Sequence, residues 1–118
     1  MRTLKSLAVL FAFCCYVPFV FADEYASDDA SVTISSPANG AKLSQAAQIK
    51  INYEVMPGPK GDHTHLYVDE KQAAVLRQLK GSHMLEALAP GKHEICIRIV
   101  NKGHTPVGVQ QCIKVSVE

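Results

Sequence analysis

The stretch that decides the fold is HEICIRIVNKGHTPVGVQQCIKVSV, residues 93–117, at the end of the chain. Its first part places isoleucine at 95, 97 and 99 with other residues between them, and its last part buries Val109, Ile113, Val115 and Val117 in a similar way. Alternation with a period of two is typical of a half-buried strand. The loop of residues 101–106 contains Gly103 and Pro106, which favour a turn. The stretch therefore predicts two antiparallel strands joined by a hairpin.

A hairpin centred on His104 has one register that satisfies the apolar pattern. It sets Ile95 opposite Ile113 and Ile99 opposite Val109, so that all four side chains share the buried face. A slip of one residue would turn every one of these side chains toward solvent. The apolar pattern therefore predicts a single register for the two strands.

Two cysteines in this stretch agree with the register, because it sets Cys96 directly opposite Cys112 on the other face of the hairpin. Directly opposed residues of an antiparallel pair have Cα atoms close enough for a disulfide. We therefore predict a structural disulfide that adds about 3 kcal/mol of stability in the chain-entropy model. The alternative is a thiol metal site or a redox pair, although the two residues lack CxxC spacing.

The preceding segments also have the character of short strands. Residues 31–35, 49–55 and 63–68 alternate apolar and polar side chains, and Pro- and Gly-containing turns separate them. Residues 72–80 suit a short helix or a strand, and we favour a strand because its neighbours are β. Together the segments predict an all-β chain, an antiparallel immunoglobulin-like β-sandwich of about seven strands.

The N-terminal segment indicates export. Residues 1–22 combine a basic start, an uncharged apolar run from Leu7 to Phe21 and a small residue at Ala22, which is the pattern of a cleaved signal peptide. The alternative, an uncleaved anchor helix, is weakened because Pro18 interrupts the run. We expect residues 23–30 to be a flexible acidic leader and residues 31–118 to be the β-sandwich domain, in a periplasmic or secreted protein.

Composition excludes some classes of partner. The whole chain has 12 Lys and Arg against 11 Asp and Glu. Two of the basic residues, Arg2 and Lys5, lie in the signal peptide, so the mature chain is left with a charge of about −1. A chain with this net charge has no excess of positive charge to attract nucleic acid. No segment after the signal peptide is apolar enough for stable membrane insertion. The sequence leaves the oligomeric state open.

The histidines are the candidate functional residues. His63 and His65 lie two positions apart on a predicted strand, so both rings project from the same face, and we expect that face to be exposed. His104 lies at the tip of the hairpin loop, and His83 precedes Met84. Imidazole and thioether groups suit copper, and imidazole nitrogen also suits zinc or nickel. The predicted metal ligands are therefore His63, His65, His83 and His104. His93 lies on the same side of its predicted strand as the buried isoleucines, so we expect it to be structural.

Four motifs in order resemble a known family. They are SPANGAK at residues 36–42, GDHTHLYVD at 61–69, LAPGKH at 88–93 and GHTP at 103–106. This order is similar to that of small exported bacterial immunoglobulin-like domains of unknown function, which carry an HHHL strand, a PGxH turn and a late HxP loop. Thr64 stands at the family's middle histidine. The resemblance implies a β-sandwich in the bacterial envelope and a histidine site made by His63, His65 and His104.

Two functions remain open at this point. The sequence has no GxSxG, HExxH or phosphate-binding glycine loop, so we expect a protein that is not an enzyme. The first hypothesis is an exported carrier or buffer of a transition metal, copper favoured, with the histidines as ligands. The alternative is a non-catalytic interaction module that docks on an envelope protein or polysaccharide, in which the histidines are incidental. A pH-sensing role for the histidines is a third, weaker interpretation.

Overall fold

The structure of the chain is a computed structural model that describes residues 29–118. The predicted signal peptide and nearly all of the predicted acidic leader lie outside the described residues. The strands are β1 (Ser31–Ser36), β2 (Ala41–Leu43), β3 (Ile49–Met56), β4 (His63–Val68), β5 (Lys71–Leu76), β6 (Lys80–Leu85), β7 (Gly91–Val100) and β8 (Pro106–Val117). Within residues 29–118 there is no helix that is long and apolar enough to cross a membrane.

The strands form two sheets that pack as an immunoglobulin-like β-sandwich, as the sequence predicts. The smaller sheet has the order β1-β3-β6, and the larger has the order β2-β8-β7-β4-β5. The pairings are antiparallel except that β2 runs parallel to β8. Strand β4 therefore lies inside the larger sheet, with β7 on one side and β5 on the other.

The core between the sheets is aliphatic, and strand alternation supplies it. In β3 every second side chain from Ile49 to Val55 is buried, and in β7 the isoleucines at 95, 97 and 99 are fully buried. The buried cluster consists of Val32, Ile34, Ile49, Ile51, Tyr53, Val55, Leu66, Leu76, Leu85, Ile95, Ile97, Ile99, Ile113 and Val115. Its burial is the main driving force for folding, because apolar area removed from water contributes about 25 cal/mol per Å².

The β7–β8 hairpin has the predicted register over most of its length. Ile95 pairs with Ile113 and Cys96 pairs with Cys112. The two sulfur atoms are bonded, and the Cα atoms of the two cysteines are 4.0 Å apart. The predicted disulfide is therefore confirmed.

The register does not continue to the loop, so the predicted pairing of Ile99 with Val109 is wrong. After the Arg98–Gln110 pair, the next pair is Val100 with Pro106, so β8 contributes more residues than β7 across this step. Gly108 lies in that segment with a φ of 91°, a conformation that glycine adopts at little cost. This irregularity shortens the loop and places it close to the end of β7.

The ambiguous segment of residues 72–80 is extended rather than helical. It holds most of β5, a connection of residues 77–79 and the start of β6. Since β5 belongs to the larger sheet and β6 to the smaller one, this connection crosses from one sheet to the other. The crossing decides which sheet carries the side chains that follow it, including His83.

Candidate metal centre

Strand β4 places two histidines side by side on the outer face of the larger sheet. Leu66 and Thr64 point into the core, and alternation sends His63 and His65 to the opposite face. The two rings were expected to be exposed, but His63 is only 1% exposed and His65 only 3% exposed. The register sets Arg98 of β7 and Val75 of β5 beside His65, and the His104 ring packs against both rings, with centroids 4.6 Å from that of His63 and 5.2 Å from that of His65.

The loop after β7 brings a third histidine to the same place. His63 pairs with Val100, the last residue of β7, so the loop of residues 101–105 begins beside the His63 ring. Asn101 holds this loop closed: its backbone NH donates to Thr105 O at 2.9 Å, and its side-chain oxygen accepts from Thr105 NH at 3.0 Å. The NH of His104 donates to Asn101 O at 3.0 Å, and His104 has a positive φ of 64°. His104 is itself exposed, so it forms the solvent side of the cluster.

The three rings direct one nitrogen each toward a common point. Nε2 of His63 lies 3.2 Å from Nε2 of His65. Nδ1 of His104 lies 3.3 Å from the first of these atoms and 3.0 Å from the second. Two ligands of a tetrahedral ion with zinc–nitrogen bonds of 2.0–2.1 Å are about 3.3 Å apart. The triangle therefore has the size that a single transition-metal ion requires, and a tetrahedral ion held by these three nitrogens would take one further ligand.

Asp62 fixes the proton of one ring. Its Oδ2 lies 2.9 Å from Nδ1 of His63, and the hydrogen bond with His63 holds the pKa of this carboxyl below its ordinary value. An ionised carboxylate accepts the Nδ1 proton, so Nε2 of a neutral His63 carries a lone pair that faces the other two rings. The sequence shows Asp62 directly before the histidine pair, but this orienting role was not predicted.

A tight backbone turn aims Asp62 at the ring. A Cβ atom at Gly61 would collide with the backbone of Pro57 and with the side chain of Ile99. The following NH, that of Asp62, donates to Val100 O at 2.8 Å. The glycine therefore allows the chain to approach the core closely just before β4 begins.

The surroundings of His65 favour its neutral form. Burial lowers the pKa of His65, and the neighbouring charges of His63, His104 and Arg77 act in the same direction. Three facing ring nitrogens cannot all be satisfied by hydrogen bonds among themselves, because one N–H···N bond uses two of them and leaves the third. One cation at the centre would accept all three lone pairs at once. We call the group of His63, His65 and His104 the histidine triad.

The other predicted site residues lie elsewhere. His83 lies on β6 of the smaller sheet, where it pairs with Ile51, and it is not part of the triad. Met56 and Met84 are exposed at 57% and 48% on strands of that sheet. His93 lies at the far end of β7, where Nδ1 is 2.5 Å from Asp69 Oδ2 and Nε2 is 2.6 Å from Ala89 O. Both nitrogens of His93 are used in structural bonds, as its expected structural role requires.

Thr64 occupies the middle of the His63–Thr64–His65 sequence but does not contribute to the triad. Its side chain is fully buried on the core side, and Oγ1 has no hydrogen-bond partner within the described chain. A side chain at this position points away from the two flanking rings because strands alternate. The triad is therefore complete without a ligand at position 64.

Comparisons with known proteins address the fold. No family model matches the chain, and no curated protein matches it. Among solved structures, the fibronectin(III)-like modules of CbhA from Clostridium thermocellum are similar, with a TM-score of 0.63 and 16% identity over 74% of this chain and 96% of that one. The CARDB domain of the PF1109 protein from Pyrococcus furiosus, solved in complex with di-metal ions, has a TM-score of 0.52 and 15% identity over 75% of this chain and 92% of that one. These similarities show an immunoglobulin-like β-sandwich.

Proposed function

We propose that the protein is an exported carrier or buffer of a transition metal, that the histidine triad binds the ion, and that copper is the preferred metal. The observation that carries the proposal is the triangle of ring nitrogens with sides of 3.0–3.3 Å. Two of its members are buried in the sheet and the third comes from a loop that its own backbone hydrogen bonds hold in place. Export, predicted from residues 1–22, would place this site outside the cytoplasm.

The ligand chemistry supports the choice of metal. Three imidazoles offer no oxygen ligand, so the triad is a poor site for calcium or magnesium. Imidazole suits copper, zinc and nickel, and Cu²⁺ has the highest affinity among the divalent first-row ions for a given nitrogen site. Copper is therefore the first ion to test, and zinc is its main competitor.

The position of the triad supports a carrier. The ion would lie at the outer face of the sheet, and His104, on an exposed loop, is the ligand that a partner could displace. The carboxylate in contact with the triad, that of Asp62, is already committed to orienting His63. We therefore propose transfer or storage of the ion rather than catalysis.

Titration of the purified protein with Cu(I), Cu(II) and Zn(II), each against a calibrated competitor, tests this proposal. We expect one ion per chain with a Kd below about 1 µM, and a loss of at least about 100-fold in both the His63→Ala/His65→Ala and His104→Ala variants. His83→Ala is the matched control, because this half-buried histidine lies in the other sheet. Binding that is weak, or that survives removal of the triad, would contradict the proposal and would favour the interaction module.

A further inference from the structure

A second group of metal-ligating side chains lies on the same face of the larger sheet. Glu94, Cys96 and Cys112 each direct one ligand atom into a region where all three atoms lie within 4.8 Å of one another. Oε1 of Glu94 is 3.6 Å from Sγ of Cys96. In the oxidised protein the two sulfur atoms are bonded to each other, so they are not thiolate ligands.

The sheet, and not the disulfide alone, brings these residues together. Glu94 and Cys96 lie two positions apart on β7 and share a face, and Cys112 is directly opposite Cys96 on β8. This pairing belongs to a register that runs from Gly91–Val117 to Arg98–Gln110. Because backbone hydrogen bonds and the buried isoleucines maintain that register, the two sulfur atoms remain neighbours after the bond between them is cleaved.

We propose that reduction of the Cys96–Cys112 disulfide creates a second metal site, in which two thiolates and the Glu94 carboxylate bind a thiophilic ion. A dithiol or phosphine reductant supplies two electrons, and two protons from solvent complete the two thiols. The incoming ion then displaces both protons, since thiolates are the species that ligate metals. Thiolate ligands select Cu(I), zinc and similar soft ions.

This second site is chemically distinct from the histidine triad and does not depend on it. The two sites share the outer face of one sheet, and Tyr67 lies between them: it pairs with Cys96, and its ring centroid is 6.4 Å from that of His65. Lys114 pairs with Glu94 across the strands, so its side chain lies on the same face of the sheet. Under the proposal, the redox state of the disulfide decides whether the face offers thiolate ligands.

The experiment uses the full chain carrying His63→Ala, His65→Ala and His104→Ala, so that the triad cannot contribute. The protein is reduced with a phosphine, which has no thiol, and titrated with Cd(II), whose bonds to thiolate give an ultraviolet charge-transfer band. We expect one cadmium ion per chain in the reduced protein and no charge-transfer band in the oxidised protein. Glu94→Gln should weaken the affinity about 10-fold, whereas Glu54→Gln, on the smaller sheet, should not change it.

Two further variants keep the result decisive. Cys96→Ser/Cys112→Ser must abolish the band, and a band that persists would overturn the proposal. The absence of a band in the reduced protein, or an unchanged affinity in Glu94→Gln, would overturn it as well. If circular dichroism shows that reduction unfolds the chain, the proposed site must restore the β-sheet spectrum when cadmium is added, and failure to do so also overturns it.

Discussion

His63 has a defined partner on each ring nitrogen. Its Nδ1 faces the Asp62 carboxylate, and its Nε2 faces the two other histidines of the triad. A carboxylate behind a ligating histidine fixes the tautomer and raises the basicity of the ligating nitrogen. The contact also lies next to a cation, since Nη1 of Arg77 is 4.0 Å from the same carboxylate oxygen. In the proposed metal site, Asp62 would therefore orient His63 toward the ion.

The first prediction concerns this carboxylate. Asp62→Asn should weaken metal binding by about 10- to 100-fold, because an amide holds the ring less firmly and supplies no negative charge. The measurement is a competitive copper or zinc titration of the purified variant. Asp69→Asn is the matched control, since Asp69 also bonds a histidine ring but does so at the other end of the sheet. Equal losses in the two variants would show that the effect is a general loss of stability.

At the scale of the elements, the sequence predicts part of the site and not the rest. Alternation along β4 is enough to place His63 and His65 on one face. The family resemblance implies that His104 joins this pair, whereas the apolar pattern alone does not, because it predicts a regular register up to the loop and the structure has an irregularity near Gly108. The burial of the two β4 rings was also not predictable, because it requires knowing that β5 and β7 flank the strand. His83 resembles the triad members in sequence, but the crossing between β5 and β6 puts it in the other sheet.

The second prediction concerns the loop that carries His104. Asn101→Ala removes the side-chain acceptor for Thr105 NH, so the third ligand should be held less rigidly and metal affinity should fall about 10-fold. Asn39→Ala is a suitable control because its side-chain oxygen accepts from Lys114 NH at 2.8 Å, far from the triad in sequence. Both variants should lose about 1 kcal/mol of stability. Only Asn101→Ala should lose affinity in the titration, and unchanged affinity would mean that the remaining backbone bonds suffice.

A third prediction concerns the link between the β4–β5 turn and β7. Asp69 and Glu70 both have positive φ, as the two central residues of a type I′ hairpin turn require. The hydrogen bond with His93 and a second one from Glu94 NH lower the pKa of Asp69. The bond to Asp69, together with that to Ala89 O, raises the pKa of His93. Since both nitrogens of His93 face acceptors, its charged form, with a proton on each, is the one that the structure stabilises.

The sign of the pH dependence follows from these two shifts. The stability from His93 is fully present below its unfolded pKa and is lost as the pH rises through its higher folded pKa. The stability from Asp69 is present above its unfolded pKa and is lost as the pH falls through its lower folded pKa. The pair should therefore contribute most between about pH 4 and pH 6.5. Because the Asp69 side chain is 47% exposed, solvent screening limits the contribution to about 1 kcal/mol or less.

Urea unfolding of the protein and of Asp69→Asn, measured from pH 4 to pH 9, tests this prediction. The difference in unfolding free energy between the two should be largest in the acidic part of the range and should shrink above the folded pKa of His93. Other titrating groups are common to both proteins, so they largely cancel in the difference. A difference that grows toward alkaline pH would contradict the assignment.

For the whole molecule, the separation between core and triad decides how metal binding relates to folding. The core lies between the two sheets, and the disulfide joins the two longest strands, whereas the triad lies on the outer face of the larger sheet. The sequence predicts this plan well, because the isoleucine alternation and the cysteine pair depend on the same register. None of the core residues is a triad ligand. We therefore expect folding not to require an ion, in contrast to small domains that metal binding alone holds together.

The last prediction follows from this separation. The metal-free protein should unfold cooperatively, and free metal at 100 times its Kd should add about 2.7 kcal/mol, because the ion binds only the folded state. For a domain of this size, that energy corresponds to an increase in Tm of about 10 °C or more. Thermal unfolding with and without copper measures the shift, and the His63→Ala/His65→Ala variant should show none. A metal-free protein without a cooperative transition would mean that the triad is part of the folding machinery, and an equal shift in the variant would place the ion at another site.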